Sequence, residues 1–559
     1  MIVVQNQHKE RLHQWYYVNC PYKLDFTIHQ PALFSAHDSK DSLTLVYGFI
    51  DQEKNGLNNA HFFCEKIKLL GISKALNACY GSFILIHYNK KKHESIFTND
   101  ALGDFALHYT QDKNHLYLSD LPSALLTNHN NQINQARIVE FFALTQPPDN
   151  GCYFENISQI NPGHFVTYKN NKLIDQRYYH PSKQVDFSHL SLQELSTKYQ
   201  HLLKQAIRWQ TYNQREVAVM MSGGMDSTFV AASCLSDDKK VSSFSYIFPK
   251  FKEADENQWI TSMNELDIDL HTFAGENFWP LKAEWHVSLN SPVSNPYRLL
   301  KNKIYQQVAN RNTETLLTGV YADHMYVAHI YWLVDLLKKQ PLTGLKEFIS
   351  LVKSKGIYLT LKHISPSKWS KKIQSKPYWL SAQAQQIFQQ RENKKAPHPH
   401  PQQINLVYGI DTAQSVWLDN EYANQYGITI RHPYRDRRVV EFITSIPAWL
   451  IGNSKDSKLF VHKSAQNLLP QKIIQRNHTT TLKPLFKKGV LQKELSQVRA
   501  LLLHPKSRWQ EFIDNKIILS LLDNPNKNYP ELHYLLLWKC ISFEMWLKKI
   551  KNQTKFTNS

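Results

Sequence analysis

Short runs of alternating apolar and polar residues fill the first 180 positions. The runs 42–50 (SLTLVYGFI) and 81–88 (GSFILIHY), split by polar turns, predict β-strands. The stretch 155–179 predicts a hairpin with Asn170-Asn171 near its tip. A polar segment, 180–191, predicts a linker. Beyond it the period changes. Apolar residues in 195–209 are spaced for a helix, followed by a strand-like run at 215–221, a glycine turn, and a helical run at 228–236. Runs at 241–248 and 313–319, the second ending at Gly319, predict further strands. Strand, glycine turn and helix in succession open an α/β unit with a parallel sheet. From about 330 the pattern turns helical. The proline-rich 394–403, with His398 and His400, predicts a solvated surface loop rather than a metal pair. The stripe Leu535, Trp538, Ile541 or Ser542, and Met545 predicts a core-facing helix. There is no internal repeat.

Composition narrows the class. The chain has 559 residues, 42% hydrophobic and 20% charged, enough apolar material for a sizeable core. Six cysteines, none in a CxxC pair, fit a reducing compartment. No signal architecture opens the chain, and no uncharged apolar run is long enough to span a bilayer. These features predict a soluble, cytoplasmic protein with no membrane partner. The net charge of +19 invites a polyanion, but the positive residues are dispersed, which disfavours nucleic acid.

The sharpest local signal is Ser222-Gly223-Gly224-Met225-Asp226-Ser227. Two glycines after a buried strand let backbone approach a ligand closely. The helix that follows aims its first N–H groups at the same spot, which suits an anion such as phosphate. Ser222 and Ser227 add hydroxyls. Asp226 would repel phosphate alone, so its presence suggests a bridging divalent cation.

This hexamer resembles the pyrophosphate loop of the adenylating ATP pyrophosphatases. Leu317 to Asp323, with Gly319, resembles the second motif of asparagine synthetase-like domains, and Asp226 and Asp323 could share one Mg²⁺. The stretch 421–447, with Gly427, Arg431, Pro433 and Asp436, resembles that family's third motif. Residues 454–470 and Ile473–Arg476 resemble its lysine loop, and Lys458 falls on the catalytic lysine; His462 stands where the family often has arginine. The N-terminal part, including Asp100 and Gly103 in 97–126, resembles a class II glutamine amidotransferase domain. The resemblance therefore implies two domains. A β-rich, degenerate amidotransferase-like domain covers 1–185. A parallel-sheet α/β adenylating synthetase domain with a helical C-terminal part covers 192–559.

One departure matters for function. The family's glutaminase nucleophile is a cysteine at position 2, and here that position is Ile2. Ammonia production on site is not expected. Among asparagine synthetase-like enzymes the chain most resembles the lasso-peptide macrolactam synthetases. The resemblance implies ATP and Mg²⁺ as cofactors, and adenylation of an Asp or Glu side chain in a precursor core peptide. The peptide's own N-terminal amine would then close the ring. It implies a leader-peptide protease and a leader-recognition protein as partners. Ser222, Gly223, Gly224, Asp226, Ser227 and Gly319 would hold ATP and pyrophosphate, Asp226 and Asp323 the metal, and Lys458 the developing charge. Where relatives place a tyrosine or glutamate base, this chain has Val320; Tyr321 or Glu421 could assist instead. A small-molecule β-lactam-type synthetase is the nearest alternative, and a tRNA-modifying pyrophosphatase a more distant one.

Overall fold

The computed structural model describes the backbone of 2–5, 13–15 and 23–27. From 33 to 556 it describes all residues except 52–57, 113–114, 127–131, 181–184, 213, 284–286, 365–376, 392–399 and 477–478. Part of the expected linker, and His398, lie outside the described residues.

The N-terminal half contains two six-stranded sheets. One runs in the spatial order β10-β8-β9-β3-β1-β2, from β1 (Ile2–Gln5), β2 (His13–Trp15), β3 (Lys23–Thr27), β8 (His108–Gln111), β9 (Leu116–Ser119) and β10 (Ser158–Gln159). The other is antiparallel throughout, in the order β12-β11-β7-β6-β5-β4. Its strands are β4 (Phe34–Asp38), β5 (Ser42–Ile50), β6 (Gly81–Asn89), β7 (Glu94–Asn99), β11 (His164–Lys169) and β12 (Lys172–Arg177). Leu43, Leu45, Ile84, Ile86 and Phe97 of this sheet pack against Tyr109, Leu116 and Leu118 of the first. Val46, Phe83 and Leu85, on its opposite face, pack under the helix Asn59–Leu70 through Ala60 and Phe63. Period-2 alternation puts both sets on one strand, so each face has its own core. Asn170 and Asn171 close the β11–β12 hairpin with φ of +50° and +58°, the left-handed pair a type I′ turn requires.

Ser191 opens the second half by capping the helix Leu192–Gln210. Its Oγ accepts from the Glu194 N–H while Glu194 Oε2 accepts from the Ser191 N–H, a reciprocal cap. A five-stranded parallel sheet follows, in the order β15-β14-β13-β16-β17. Its strands are β13 (Glu216–Met220), β14 (Lys240–Ile247), β15 (Ile268–Ala274), β16 (Thr315–Thr318) and β17 (Thr429–Arg431). Val217, Ala218 and Val219 are all buried, as a central strand covered on both faces demands.

Two expectations about the helical part need correction. His400 is not solvated. Its Nε2 lies 2.7 Å from Asp335 Oδ2 and its ring stacks on Tyr331 at 4.6 Å, so a hydrogen-bond partner and an aromatic face bury it. The C-terminal helix Glu531–Phe556 does not bury the expected single stripe. Leu535 is exposed, whereas Leu536, Leu537, Trp538, Cys540, Ile541, Phe543 and Trp546 are all buried. Trp546 Nε1 donates to the Leu289 carbonyl and Trp538 Nε1 to the Ser294 carbonyl, and Phe142 and Tyr153 join the same core. A helix enclosed on several sides shows no clean amphipathic period.

The third motif joins the two halves. Arg435 is buried, with Nε 2.5 Å from Asp104 Oδ1 and Nη2 donating to the Leu102 carbonyl at 2.8 Å. Arg438 pairs with Asp51 at 2.5 Å, and Arg437 donates to the Asn77 carbonyl at 2.8 Å. Arg431 lies over the Phe49 ring at 4.3 Å. Asp436 caps the helix Arg437–Ser445 and accepts from Trp209 Nε1. Asp104 stands just after the Asp100–Gly103 turn, in which the Asp100 carboxylate accepts from the Leu102, Asp104 and Phe105 N–H groups and Gly103 adopts φ +71°.

Candidate active site

Strand β13 delivers the chain to the glycine turn, and the helix Met225–Leu235 leaves it. The turn is held from inside by its own serines. The Ser222 N–H donates to Ser227 Oγ at 2.9 Å, and the Gly224 N–H donates to Ser222 Oγ at 3.2 Å. It is held from outside by residues the motif did not reveal. The Gly223 N–H donates to Glu256 Oε2 at 3.2 Å, and Glu256 Oε1 accepts from Arg476 Nη2 and Thr480 Oγ1, both at 2.7 Å. Arg476 in turn lies 4.2 Å over the Trp259 ring. A Cβ on Gly223 would come within 2.6 Å of Trp259 Cβ, so glycine is required by close approach. No side chain caps the helix at Gly224, which leaves its leading N–H groups for a ligand.

Gly319 follows β16, the neighbour of β13. The structure gives this glycine a packing role. A Cβ there would lie 2.4 Å from Ser227 N and 2.7 Å from Asp226 C. The end of β16 therefore rests directly on the helix backbone that carries Asp226. Gly319→Ala must push these segments apart, and we expect it to cost about 1–3 kcal/mol of stability, as overpacking does. Urea unfolding of the variant measures this; an unchanged midpoint would show that the contact relaxes freely.

Past Gly319 the chain turns through Tyr321, whose φ of +77° starts the helix Ala322–Tyr326. Asp323 lies in its first turn, with an exposed carboxylate. Lys458 arrives from a third segment, at the start of the helix Leu459–Ala465. Its loop is fixed by Asp456, whose Oδ1 accepts the Lys458 N–H at 2.8 Å and whose Oδ2 lies 2.6 Å from His462 Nδ1. His462 is thus a local clamp. Lys458 Nζ sits 2.9 Å from Asp226 Oδ2 and 2.6 Å from Asp323 Oδ1. Three residues from three motifs, far apart in the chain, meet at one ammonium group. The third motif supports them: Tyr434 Oη donates to the Asp226 carbonyl at 2.9 Å, and His432 Nδ1 lies 2.7 Å from Thr318 Oγ1.

The electrostatics follow from this geometry. Burial pushes the Asp226 carboxyl up, with Lys458 opposing and Asp323 adding to the rise. Burial acts to lower Lys458, but Asp226 and Asp323 outweigh it, so the amine stays protonated. Asp226 Oδ1 is buried with no hydrogen-bond partner among the described residues. That orphaned oxygen beside the exposed Asp323 fits Mg²⁺, which takes one or two carboxylates and completes its shell from phosphates and water. Among the described residues no cluster of three His, Cys, Asp or Glu side chains forms a self-sufficient metal site.

The two candidates for proton transfer fall elsewhere. Tyr321 is buried, edge-on to His432 at 4.9 Å and under the Arg435 guanidinium at 5.3 Å. Burial drives its phenol far above the ordinary range. Val320 is half exposed and carries no proton. Glu421 accepts from Ser288 Oγ at 2.8 and 3.0 Å and from Asn290 Nδ2 at 3.1 Å. Burial raises its pKa, and no hydrogen bond or ion pair among the described residues joins it to Lys458.

A parallel sheet, a glycine turn opening into a helix, and a lysine between two carboxylates form an α/β synthetase domain suited to a phosphorylated ligand. The chain belongs to the asparagine synthase family: residues 198–548 match the asparagine synthase model, and residues 62–179 match the glutamine amidotransferase domain. Membership makes it an ATP-dependent amide-forming ligase. It is similar to asparagine synthetase (glutamine-hydrolyzing) 3 of Bacillus subtilis (strain 168), 20% identical over 501 residues covering 80% of this chain and 74% of the relative. Asparagine synthetase (glutamine-hydrolyzing) 1 of the same organism is 19% identical over 520 residues, covering 84% and 79%.

Proposed function

We propose that this protein is a macrolactam synthetase. It adenylates an Asp or Glu side chain of a precursor core peptide and closes an isopeptide ring with the peptide's N-terminal amine. The observation that carries the adenylation is the meeting of Lys458 with Asp226 and Asp323 beside the glycine turn. The peptide substrate is supported by the form of the third motif. The reading without glutaminase activity is supported by the cysteines. Burial pushes Cys79, Cys152 and Cys234 up to about 12, the reverse of an activated thiolate.

In this reading a carboxylate oxygen of the peptide attacks the α-phosphorus of ATP and pyrophosphate leaves. The amine then attacks the acyl carbon, AMP leaves, and the amine gives up a proton. The leading N–H groups of Met225–Leu235 and the hydroxyls of Ser222 and Ser227 bind phosphate oxygens. Asp226 and Asp323 would hold Mg²⁺, which when bound screens the phosphate charge. Lys458 offsets negative charge that develops during the transfer. Tyr321 and Glu421 are the candidates to receive the amine's proton. Ring closure is intramolecular, so a peptide held folded gains effective concentration that a free amine lacks.

Incubating the protein with leader-free core peptide, ATP and Mg²⁺ should remove one water from the peptide, read by mass spectrometry. Replacing the acceptor Asp or Glu of the peptide by Asn or Gln should stop the loss, because an amide offers no carboxylate to adenylate. Continued water loss from that variant would refute side-chain activation. Stimulation by glutamine with release of glutamate would restore an ammonia-using reaction.

A further inference from the structure

The helix Pro341–Lys355 and the helix Ile357–Ile364 that follows it pack on the protein by one side only. Gly344, Phe348 and Leu351 face the core formed by Leu333, Leu336, Leu337 and Ala448. A second apolar face points outward. Leu342, Leu345 and Ile349 recur at helical spacing, and the next helix adds the exposed Ile357, Tyr358, Leu359 and Leu361. Their exposures run from 44% to 80%, and they make up seven of the seventeen exposed large apolar side chains among the described residues. Scattered exposed apolar residues are ordinary; seven within twenty positions form a patch that marks contact with another surface.

The charges beside the patch restrict what that surface is. Lys338, Lys339, Lys346, Lys353 and Lys355 are all exposed, and none has a carboxylate partner among the described ion pairs. Glu347 is the single acidic residue between 338 and 364. A second copy of this chain meeting it by the same face would set lysines against lysines. An acidic surface with an apolar layer beneath it meets both features together: lysine stems lie along the apolar band while their ammonium groups reach anionic headgroups. We propose that this face docks the protein onto an anionic lipid bilayer. The expectation of no membrane partner rested on the lack of a spanning segment, and indeed no helix among the described residues is long and apolar enough to cross a membrane. Surface docking needs none. Lys355 Nζ donates to the Ser454 carbonyl at 3.4 Å, so the docked face adjoins the loop that carries Lys458.

The test uses full-length protein and sedimentation with vesicles, one set of phosphatidylcholine alone and one with phosphatidylglycerol in equal parts. Binding should favour the anionic vesicles and weaken with salt. The double variant Leu345→Glu, Ile349→Glu should bind them about tenfold more weakly or worse, with an unchanged circular dichroism spectrum because both side chains are outside the core. Should that variant misfold, Lys346→Glu with Lys353→Glu, which alters only exposed charge, should abolish the preference for anionic lipid. No binding to either vesicle, or binding indifferent to both variants, would overturn the proposal. So would a variant that changes only the self-association measured by light scattering, which would assign the face to a second copy of the chain.

Discussion

Replacing Lys458 by alanine lowers turnover by about 10²–10³-fold or more, the scale of deleting one contact to charge that develops in a transition state. The amine lies between two carboxylates that keep it protonated, and its loop is fixed by the Asp456–His462 clamp. A charge held this firmly needs little rearrangement as negative charge builds on the transferring group. ATP affinity should change little, since the contact strengthens along the reaction. Steady-state kinetics separate the two effects. A loss confined to the apparent affinity for ATP would make Lys458 a ground-state phosphate ligand instead.

The second large effect is at Asp226. Asp226→Asn should bring ATP–pyrophosphate exchange to background while leaving the protein folded. Its Oδ1 is the buried carboxylate oxygen with no partner among the described residues, and its Oδ2 is the one facing Lys458. Asparagine keeps the shape and removes the charge. Because burial raises the carboxyl's pKa, the ionised form carries a folding cost above that pKa, and the amide removes it. The unfolding temperature near neutral pH should therefore hold or rise while activity disappears, as expected where a site trades stability for function. Exchange at the wild-type rate would sink the metal role given to Asp226.

The contrast between Asp226 and Glu256 shows what could be read from the chain alone. Asp226 sits in a hexamer whose glycines, serines and helix all act within six residues, so its setting is written locally. Glu256 holds the same turn through the Gly223 N–H, yet its partners Arg476 and Thr480 come from more than two hundred residues away. No local pattern marks such a carboxylate, although the stretch Ile473–Arg476 did stand out for another reason. Strands β5 and β6 were visible because alternation on a two-faced sheet survives in the sequence. His400 was misjudged because its prolines speak of the backbone, while its burial is decided by Asp335 and Tyr331 on another helix. The C-terminal helix lost its stripe for a related reason: neighbours enclose it on several sides. Tyr321 was legible as a neighbour of Asp323 but not as a buried ring, because its orientation follows from the left-handed turn that begins its helix.

The arginines of the third motif place a constraint on how the gene can be shortened. Arg435 is buried with its guanidinium on Asp104 and the Leu102 carbonyl, and Arg438 reaches Asp51, all supplied by the N-terminal half. A fragment beginning near residue 192 would keep these cations and lose Asp104, the Leu102 carbonyl and Asp51, leaving Arg435 with the Val407 carbonyl and Arg438 with Asp436; stripping one partner from a buried pair costs about 3–5 kcal/mol. The same motif supplies the Tyr434 hydroxyl that steadies Asp226. Deletion of the first half would therefore reach Asp226 through Arg435 and Tyr434, one residue apart. The first half thus serves the second as masonry, and selection can preserve its walls for that reason alone.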